Sequence, residues 1–123
     1  MTDVDPEALV KRYLETVVTG SPEDVAALYS EDATLEDPVG GGEVHIGRKA
    51  IAGFYGATAG AEVATELQQI RVGGHEAAFV FSITVTIGET KIRVEPIEVM
   101  TFNNSGEITS MKAYWGPSNM TQL

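Results

Sequence analysis

The sequence predicts an α+β fold in which helices cover one face of a curved, mainly antiparallel β-sheet. Apolar residues recur at helical spacing over roughly the first half of the chain, and from residue 62 the pattern changes to an alternation with a period of two. Short turns, most of them containing glycine, separate the alternating segments, which favours an antiparallel meander. A sheet that curves over helices forms a cone with an apolar mouth, and such a cavity suits a small apolar ligand.

The first predicted helix begins at Asp5 and Pro6, because a capping side chain followed by proline is a typical helix start. Apolar residues then recur at helical spacing until Gly20, where the pattern ends. Tyr13 falls on the inward face of this helix. A tyrosine there is either an ordinary core residue or a phenol that faces the cavity.

The second predicted helix repeats the start signal at Ser21 and Pro22 and is shorter, with Tyr29 on its apolar face. A third helix is predicted over residues 47–60, with Tyr55 on its apolar side. Three inward tyrosines are unusual in a chain that has only four. Since buried phenols need partners, we expect their hydroxyls to bond to one another.

The remaining elements are predicted to be strands. One short strand precedes the third helix, and four long segments follow it, rich in β-branched and aromatic residues. The predicted strands cover residues 33–37, 62–72, 76–87, 90–102 and 107–115.

Size and composition narrow the possible functions. The chain has 123 residues, which predicts a single domain over residues 1–123. Its net charge of −10 disfavours binding to nucleic acid or to an anionic membrane. It has no cysteine, so disulfides and thiolate metal sites are excluded, and its acidic start, MTDVDPEALV, does not resemble an export signal. We therefore expect a cytoplasmic protein with a neutral or cationic small-molecule ligand.

Two carboxyl groups stand beside apolar segments. Glu98 would share a strand face with Val94, Pro96 and Met100, unless that face is outward or the chain bends at Pro96. In an apolar cavity, desolvation would keep its carboxyl protonated and able to donate a hydrogen bond. Asp37 precedes a proline, and is either a turn residue or a base. A carboxylate base, a phenol and a neutral carboxyl around one cavity could remove a proton next to a carbonyl and stabilise the enolate.

Other motifs give no functional signal. His45 and His75 lie in glycine-rich stretches, belong to no metal-ligand pattern and are interpreted as surface residues. The glycine run over residues 40–42 lacks the lysine and the helix start that a phosphate-binding loop needs. We predict no metal site.

These residues together resemble a known family, the bacterial Δ5-3-ketosteroid isomerases (steroid Δ-isomerases) of the NTF2-like, SnoaL-like superfamily. The resemblance covers nearly the whole sequence and includes the segments RYLETVVTGSPEDVAALYSEDATLEDPVG, GRKAIAGFY, HEAAFVFSITV, VEPIEVMTFNNSGEI and MKAYWGPSN. Its most specific feature is an ordered set of side chains, namely Tyr13, Asp37, Tyr55, an acid at position 98 and an aromatic residue at position 115.

The resemblance implies a role for each of these residues in an NTF2-like cone of three N-terminal helices on a curved sheet. Asp37 corresponds to the base that moves a proton from C4 to C6 of a 3-oxo-Δ5 steroid. Tyr13 corresponds to a phenol that hydrogen-bonds the 3-oxygen, with Tyr55 and Tyr29 in support. Glu98 stands where the family has a protonated aspartic acid as second donor, and the longer side chain must place its carboxyl differently.

The resemblance also implies a cavity wall, no cofactor, an apolar steroid as the ligand and a homodimer formed through the sheet. The implied wall residues are Phe54, Phe81, Val99, Met111 and Trp115, of which Trp115 would also bond the base. Two other functions stay open on this fold. One is another enzyme, such as a polyketide cyclase, a dehydratase or an epoxide hydrolase, and the other is a small-molecule binder without catalysis.

Overall fold

The structure, a computed structural model, describes residues 4–123. Residues 1–3, at which the acidic N-terminal stretch begins, lie outside it. Over the described range there are three α-helices, one 3-10 helix and a single eight-stranded sheet. The elements are α1 (Pro6–Thr19), α2 (Pro22–Ala26), β1 (Tyr29–Glu36), β2 (Val44–Ile46), α3 (Arg48–Gly56), β3 (Glu62–Gly73), β4 (Glu76–Ile87), β5 (Thr90–Val94), β6 (Ile97–Phe102), β7 (Ile108–Tyr114), the 3-10 helix (Pro117–Asn119) and β8 (Met120–Gln122).

The predicted α+β class is confirmed. The sheet has the order β2-β1-β7-β6-β4-β5-β8. The remaining strand, β3, pairs with the edge of β4 that does not contact β5 or β6. All pairings are antiparallel except β1 with β7. The first half of β4 pairs with β6 and its second half with β5, so the sheet diverges into two arms and stays open.

The helix starts agree with the sequence signals. Asp5 caps α1 by accepting a hydrogen bond from the backbone N–H of Ala8. At α2, Ser21 and Asp24 form a reciprocal capping box, with each side chain accepting from the backbone N–H of the other residue. The third helix is shorter than predicted and ends at Gly56 instead of continuing to residue 60.

Two predictions of secondary structure are wrong, and two short strands were missed. Tyr29 does not lie on the second helix: α2 ends at Ala26, and Tyr29 is the first residue of β1. The segment 90–102 is two strands, because the chain leaves the ladder at Glu95 and Pro96 and proline cannot donate to it. The short strands β2 and β8 were not predicted at all.

The core lies between the helices and the concave face of the sheet. The side chain of Thr65 on β3 donates to the carbonyl of Leu14 on α1 over 3.4 Å, which fixes the position of α1 along the sheet. Pairing of Thr65 with Ile83 carries this position across to β4. The most deeply buried large side chains are Tyr29, Phe79, Leu35, Ile51, Met100, Ile108, Met111 and Val10.

Within residues 4–123, none of the helices is both long enough and apolar enough to cross a membrane.

Candidate active site

A cavity of about 870 Å³ opens between the helices and the concave face of the sheet. This volume lies toward the upper end of the range for small-molecule sites. The walls are mostly apolar, with a few polar side chains. The polar or aromatic members of the wall are Tyr13, Ser21, Asp37, His45, Phe54, Tyr55, Thr58, Phe81, Glu98 and Trp115.

Asp37 follows the last residue of β1, and its partly buried side chain faces the cavity. The indole Nε1–H of Trp115 donates to Asp37 Oδ1 over 2.6 Å, which fixes one carboxylate oxygen and leaves the other free of this bond. Burial raises the pKa of Asp37, while the Trp115 hydrogen bond and the nearby His45 act in the opposite direction. A carboxylate with a raised pKa is a stronger base than one in water, provided that it stays ionised.

Three tyrosine hydroxyls form a chain beside the cavity. Tyr55 is the middle member, since its hydroxyl lies 2.8 Å from that of Tyr13 and 2.7 Å from that of Tyr29. Burial raises the pKa of all three phenols well above the usual value, so each keeps its proton at neutral pH. If Tyr29 donates to Tyr55 and Tyr55 donates to Tyr13, then the Tyr13 proton is available for a ligand in the cavity.

The far end of the tyrosine chain is held by Arg48, the first residue of α3. Its Nε–H donates to the backbone carbonyl of Tyr29 over 2.8 Å, and its Nη2–H donates to Glu107 over 2.9 Å. Tyr55 stands on the same helix as Arg48. Arg48 therefore connects the helix that carries Tyr55 to the strand that carries Tyr29.

Glu98 on β6 is the second carboxyl group of the cavity. Its side chain is inward and only 2 % exposed, so the alternative of an outward Glu98 is excluded. Its pKa is raised well above the usual value, first by burial and then by the negative charge of Asp37. Glu98 Oε1 is buried and has no hydrogen-bond partner among the described residues. A neutral carboxyl in this position has a donor to offer to a ligand oxygen.

The structure brings some of the expected wall residues to the cavity and places others elsewhere. Phe54, Phe81 and Trp115 line it. Val99 does not, because it follows the inward Glu98 on a strand and therefore lies on the opposite face of the sheet. Met111 is 1 % exposed and belongs to the closed core, where it pairs with Met100, instead of to the cavity wall.

His45 is the site residue that sequence reasoning missed. It was interpreted as a surface residue, but it lies on β2, is partly buried, and lines the cavity with its ring 5.2 Å from that of Phe54. Its strand pairs with the end of β1, two residues before Asp37. The alternation Val44-His45-Ile46 before Gly47 was the available signal. His75, in contrast, is exposed as expected.

Residues 4–123 contain no group of three or more metal-ligating side chains. The arrangement instead combines one carboxylate that can accept a proton with two neutral O–H groups, on Tyr13 and Glu98, in a largely apolar cavity. Such a site can transfer a proton on a substrate while donors stabilise an oxyanion.

Comparison with known proteins agrees with this description. The family model of the SnoaL-like domain matches residues 10–111. The chain is 54 % identical over 114 residues to the steroid Delta-isomerase of Nocardioides simplex, covering 93 % of this chain and 92 % of that protein. Among solved structures, it resembles the epoxide hydrolase/cyclase-like enzyme SalBIII of salinomycin pyran-ring formation, with 27 % identity, a TM-score of 0.88 and coverage of 96 % and 95 %. The protein RV0760c of Mycobacterium tuberculosis shares the fold, with 21 % identity, a TM-score of 0.88 and full coverage of both chains. The chain belongs to the SnoaL-like (NTF2-like) family.

Proposed function

We propose that this protein is a steroid Δ-isomerase, which moves the C5–C6 double bond of a 3-oxo-Δ5 steroid to C4–C5. The observation that carries the proposal is the joint placement of Asp37, Tyr13 and Glu98 on one apolar cavity. The 54 % identity to a steroid Delta-isomerase supports the choice of substrate.

In the first step, the Asp37 carboxylate takes a proton from C4 of the bound steroid. The electron pair of that C–H bond forms a C3–C4 double bond, and the carbonyl electrons move onto the 3-oxygen. Tyr13 and the neutral Glu98 donate hydrogen bonds to this developing oxyanion. Because both donors are buried, their effect is much larger than it would be in water.

In the second step, Asp37 returns the proton to C6. The electrons of the dienolate shift so that the 3-carbonyl forms again and the remaining double bond lies between C4 and C5. Atoms and electrons balance within the substrate, so the reaction needs no oxidant, reductant or cofactor. The substrate carbonyl is itself the electron acceptor.

Tyr55 and Tyr29 act as positioning residues in this proposal. The hydroxyl chain orients the Tyr13 proton toward the ligand, and its two short hydrogen bonds support that orientation. Trp115 positions the base through its bond to Asp37. Glu98 is one methylene longer than the family's aspartic acid at the same position, so its side chain has to fold back, or the strand has to shift, for the carboxyl to meet the same oxygen.

The proposal is tested by mixing the protein with 5-androstene-3,17-dione and following the absorbance of the conjugated enone. We expect turnover, and we expect Asp37→Asn to lower kcat about 10²- to 10⁴-fold, the usual contribution of a general base. The matched control is Asp32→Asn, since Asp32 is an exposed acid on β1 outside the cavity. Equal turnover by the Asp37→Asn variant and the parent would refute the assignment of the base.

A second candidate function is an epoxide hydrolase or cyclase, and the 27 % identity to SalBIII is the observation that favours it. The same assay separates the two. An epoxide hydrolase or cyclase gives no conjugated enone from the steroid, and instead opens an epoxide substrate. A binding protein without catalysis gives neither product, and its affinity for the steroid is unchanged in the Asp37→Asn variant.

We also propose that the protein forms a homodimer through the outer face of its sheet. Ile97 and Tyr114 are paired on neighbouring strands of this face, and their side chains are 47 % and 46 % exposed. Val80 and Val99 extend the apolar area. Light scattering should give twice the chain mass of 13.1 kDa, and Tyr114→Lys should shift the mass toward that of one chain. The expected cytoplasmic location stays a prediction.

A further inference from the structure

The cavity continues well beyond the groups that would act on ring A of a steroid. Glu98 pairs with Phe79 on β4, whereas the cavity wall on the same strand extends through Phe81 and Ile83 to Val85. Six residues of strand separate the level of Glu98 from that of Val85, which corresponds to a contour of about 20 Å at roughly 3.3 Å per residue.

The helix on the opposite wall extends over the same length. The Thr65–Leu14 hydrogen bond places Leu14 of α1 beside the level of Ile83. Val17 and Val18, which also line the cavity, lie about one turn further along α1, or roughly 5 Å at 1.5 Å per residue. The neighbouring wall residue on β3 is Val63, paired with Val85. Both walls therefore continue past the catalytic groups in the same direction.

The rigid part of a steroid does not fill this length. From C3 to C17 the fused rings contain a zigzag of about eight carbon–carbon bonds, which projects to roughly 10 Å at about 1.5 Å per bond. With the 3-oxygen at Glu98 and Tyr13, C17 would lie near the level of Ile83. The last two residues of the strand contour, about a third of it or roughly 7 Å, then lie beyond ring D.

The wall in this remaining part is mostly apolar and made of small side chains. Val63 and Val85 form its sheet side, and the turn over residues 57–61 after α3 forms the opposite side, with three alanines, Gly60 and Thr58. Within residues 4–123, the charged or histidine side chains that line the cavity are Asp37, Glu98 and His45, and none of them stands on the strands or the turn that form this end. Four of the five residues 57–61 are exposed, so the end is open to solvent.

We propose that the preferred substrates are 3-oxo-Δ5 steroids that carry an apolar side chain on C17, and that Val63, Val85 and the 57–61 turn form the subsite for this side chain. The inference rests on the proposed isomerase function for the orientation of the steroid. A charged substituent on C17 finds no ionic partner among these residues, and their one side-chain hydroxyl, that of Thr58, already donates to the carbonyl of Tyr55. Each methylene buried against them, in contrast, raises the affinity by up to about fourfold.

The deciding experiment measures the affinity of the parent protein for reaction products that differ only in the group on C17, which is a ketone, an acetyl group or an eight-carbon alkyl chain. The chain has a single tryptophan, Trp115, which lies in the cavity and reports binding by its fluorescence. We expect the Kd to fall from androst-4-ene-3,17-dione to pregn-4-ene-3,20-dione and to be at least tenfold lower for cholest-4-en-3-one, each delivered with the same amount of cyclodextrin. Equal or weaker binding of cholest-4-en-3-one would overturn the proposal.

A pair of variants locates the subsite. Val85→Phe adds bulk on the cavity face and should weaken binding of cholest-4-en-3-one at least tenfold more than binding of androst-4-ene-3,17-dione. Thr84→Phe adds the same bulk on the opposite face of the strand and should leave the ratio of the two Kd values unchanged. If both variants change the ratio equally, the side chain does not lie against Val85 and the assignment is wrong.

Failure of this inference differs from failure of the proposed function. Turnover of 5-androstene-3,17-dione together with a flat affinity series would keep the isomerase and remove the side-chain subsite. An affinity series as expected, without turnover of any 3-oxo-Δ5 steroid, would keep the subsite and remove the isomerase.

Discussion

The buried carboxyl of Glu98 should make folding stability fall as pH rises. In the folded protein its pKa is raised well above the usual value by burial and by Asp37, whereas in the unfolded chain it titrates near 4.3. The folded state therefore holds this proton more tightly than the unfolded state. Below about pH 4 both states are protonated and the contribution is complete, and it is lost progressively until the pH reaches the native pKa.

Glu98→Gln removes this dependence, because the amide is neutral at every pH and nearly the same shape. Relative to that variant, the parent should lose about 1.4 kcal/mol of unfolding free energy for each pH unit between the unfolded and the native pKa. At about 4 °C per kcal/mol for a domain of this size, the melting temperatures should diverge by roughly 5 °C per pH unit. Asp37 titrates in both proteins, so its direct contribution largely cancels in the difference.

The assay is reversible urea unfolding at several pH values from 4 to 8 for the parent, Glu98→Gln and the control Glu76→Gln. Glu76 is an exposed acid at the start of β4, and its variant tests the loss of a carboxylate in water. We expect the Glu98→Gln curve to rise relative to the parent with pH and the Glu76→Gln curve to stay parallel to it. A Glu98→Gln curve that is also parallel would show that Glu98 does not hold its proton in the folded protein.

Three further variants test the rest of the site. Tyr55→Phe removes the middle hydroxyl and leaves two buried phenols without their hydrogen-bond partner, so it should lower the free energy of unfolding by about 1–3 kcal/mol. It should also lower kcat without raising KM, and an unchanged kcat would show that the hydroxyl chain does not contribute to catalysis. Trp115→Phe deletes the donor to the Asp37 carboxylate, and this loss raises the pKa of Asp37. The fall of kcat/KM at acid pH should therefore move to higher pH by up to about one unit. If it stays in place, this hydrogen bond does not influence the pKa of the base. His45→Gln removes the weaker of the two influences that lower the pKa of Asp37, so the fall of kcat/KM at acid pH should move in the same direction but by less. A larger shift than that of Trp115→Phe would show that His45 has the stronger effect on the pKa of Asp37.

Local signals predicted much of what the structure contains. The capping residues Asp5 and Ser21 fixed the two helix starts, because their side chains satisfy backbone donors within the same turn. The period-two pattern located the four long strand segments for the same reason, since alternation depends only on near neighbours. The tyrosine contacts agree with the expectation that inward phenols bond to one another, although Tyr29 is inward from β1 and not from the second helix.

The residues that sequence reasoning misplaced depend on strand boundaries and on distant pairing. His45 faces the cavity only because three residues of β2 pair with the end of β1, and so short a strand carries almost no periodic signal. Val99 was assigned to the wall by resemblance, although alternation from the inward Glu98 already places it on the opposite face. The break at Pro96 divides one long alternating segment between two neighbours of β4, and no local pattern shows which strands those are.

The parallel pairing of β1 with β7 has a consequence for the order in which the site can form during synthesis. Asp37 and Trp115 are 78 positions apart, and β1, with its short partner β2, joins the rest of the sheet through its pairing with β7. During synthesis on a ribosome, Asp37 therefore lacks its hydrogen bond to Trp115 until almost all of this sequence has left the exit tunnel. Contacts of such long range are closed late and at a high entropic cost. The nascent chain can form its helices and hairpins early, but it gains its reactive centre only at the last stage of folding.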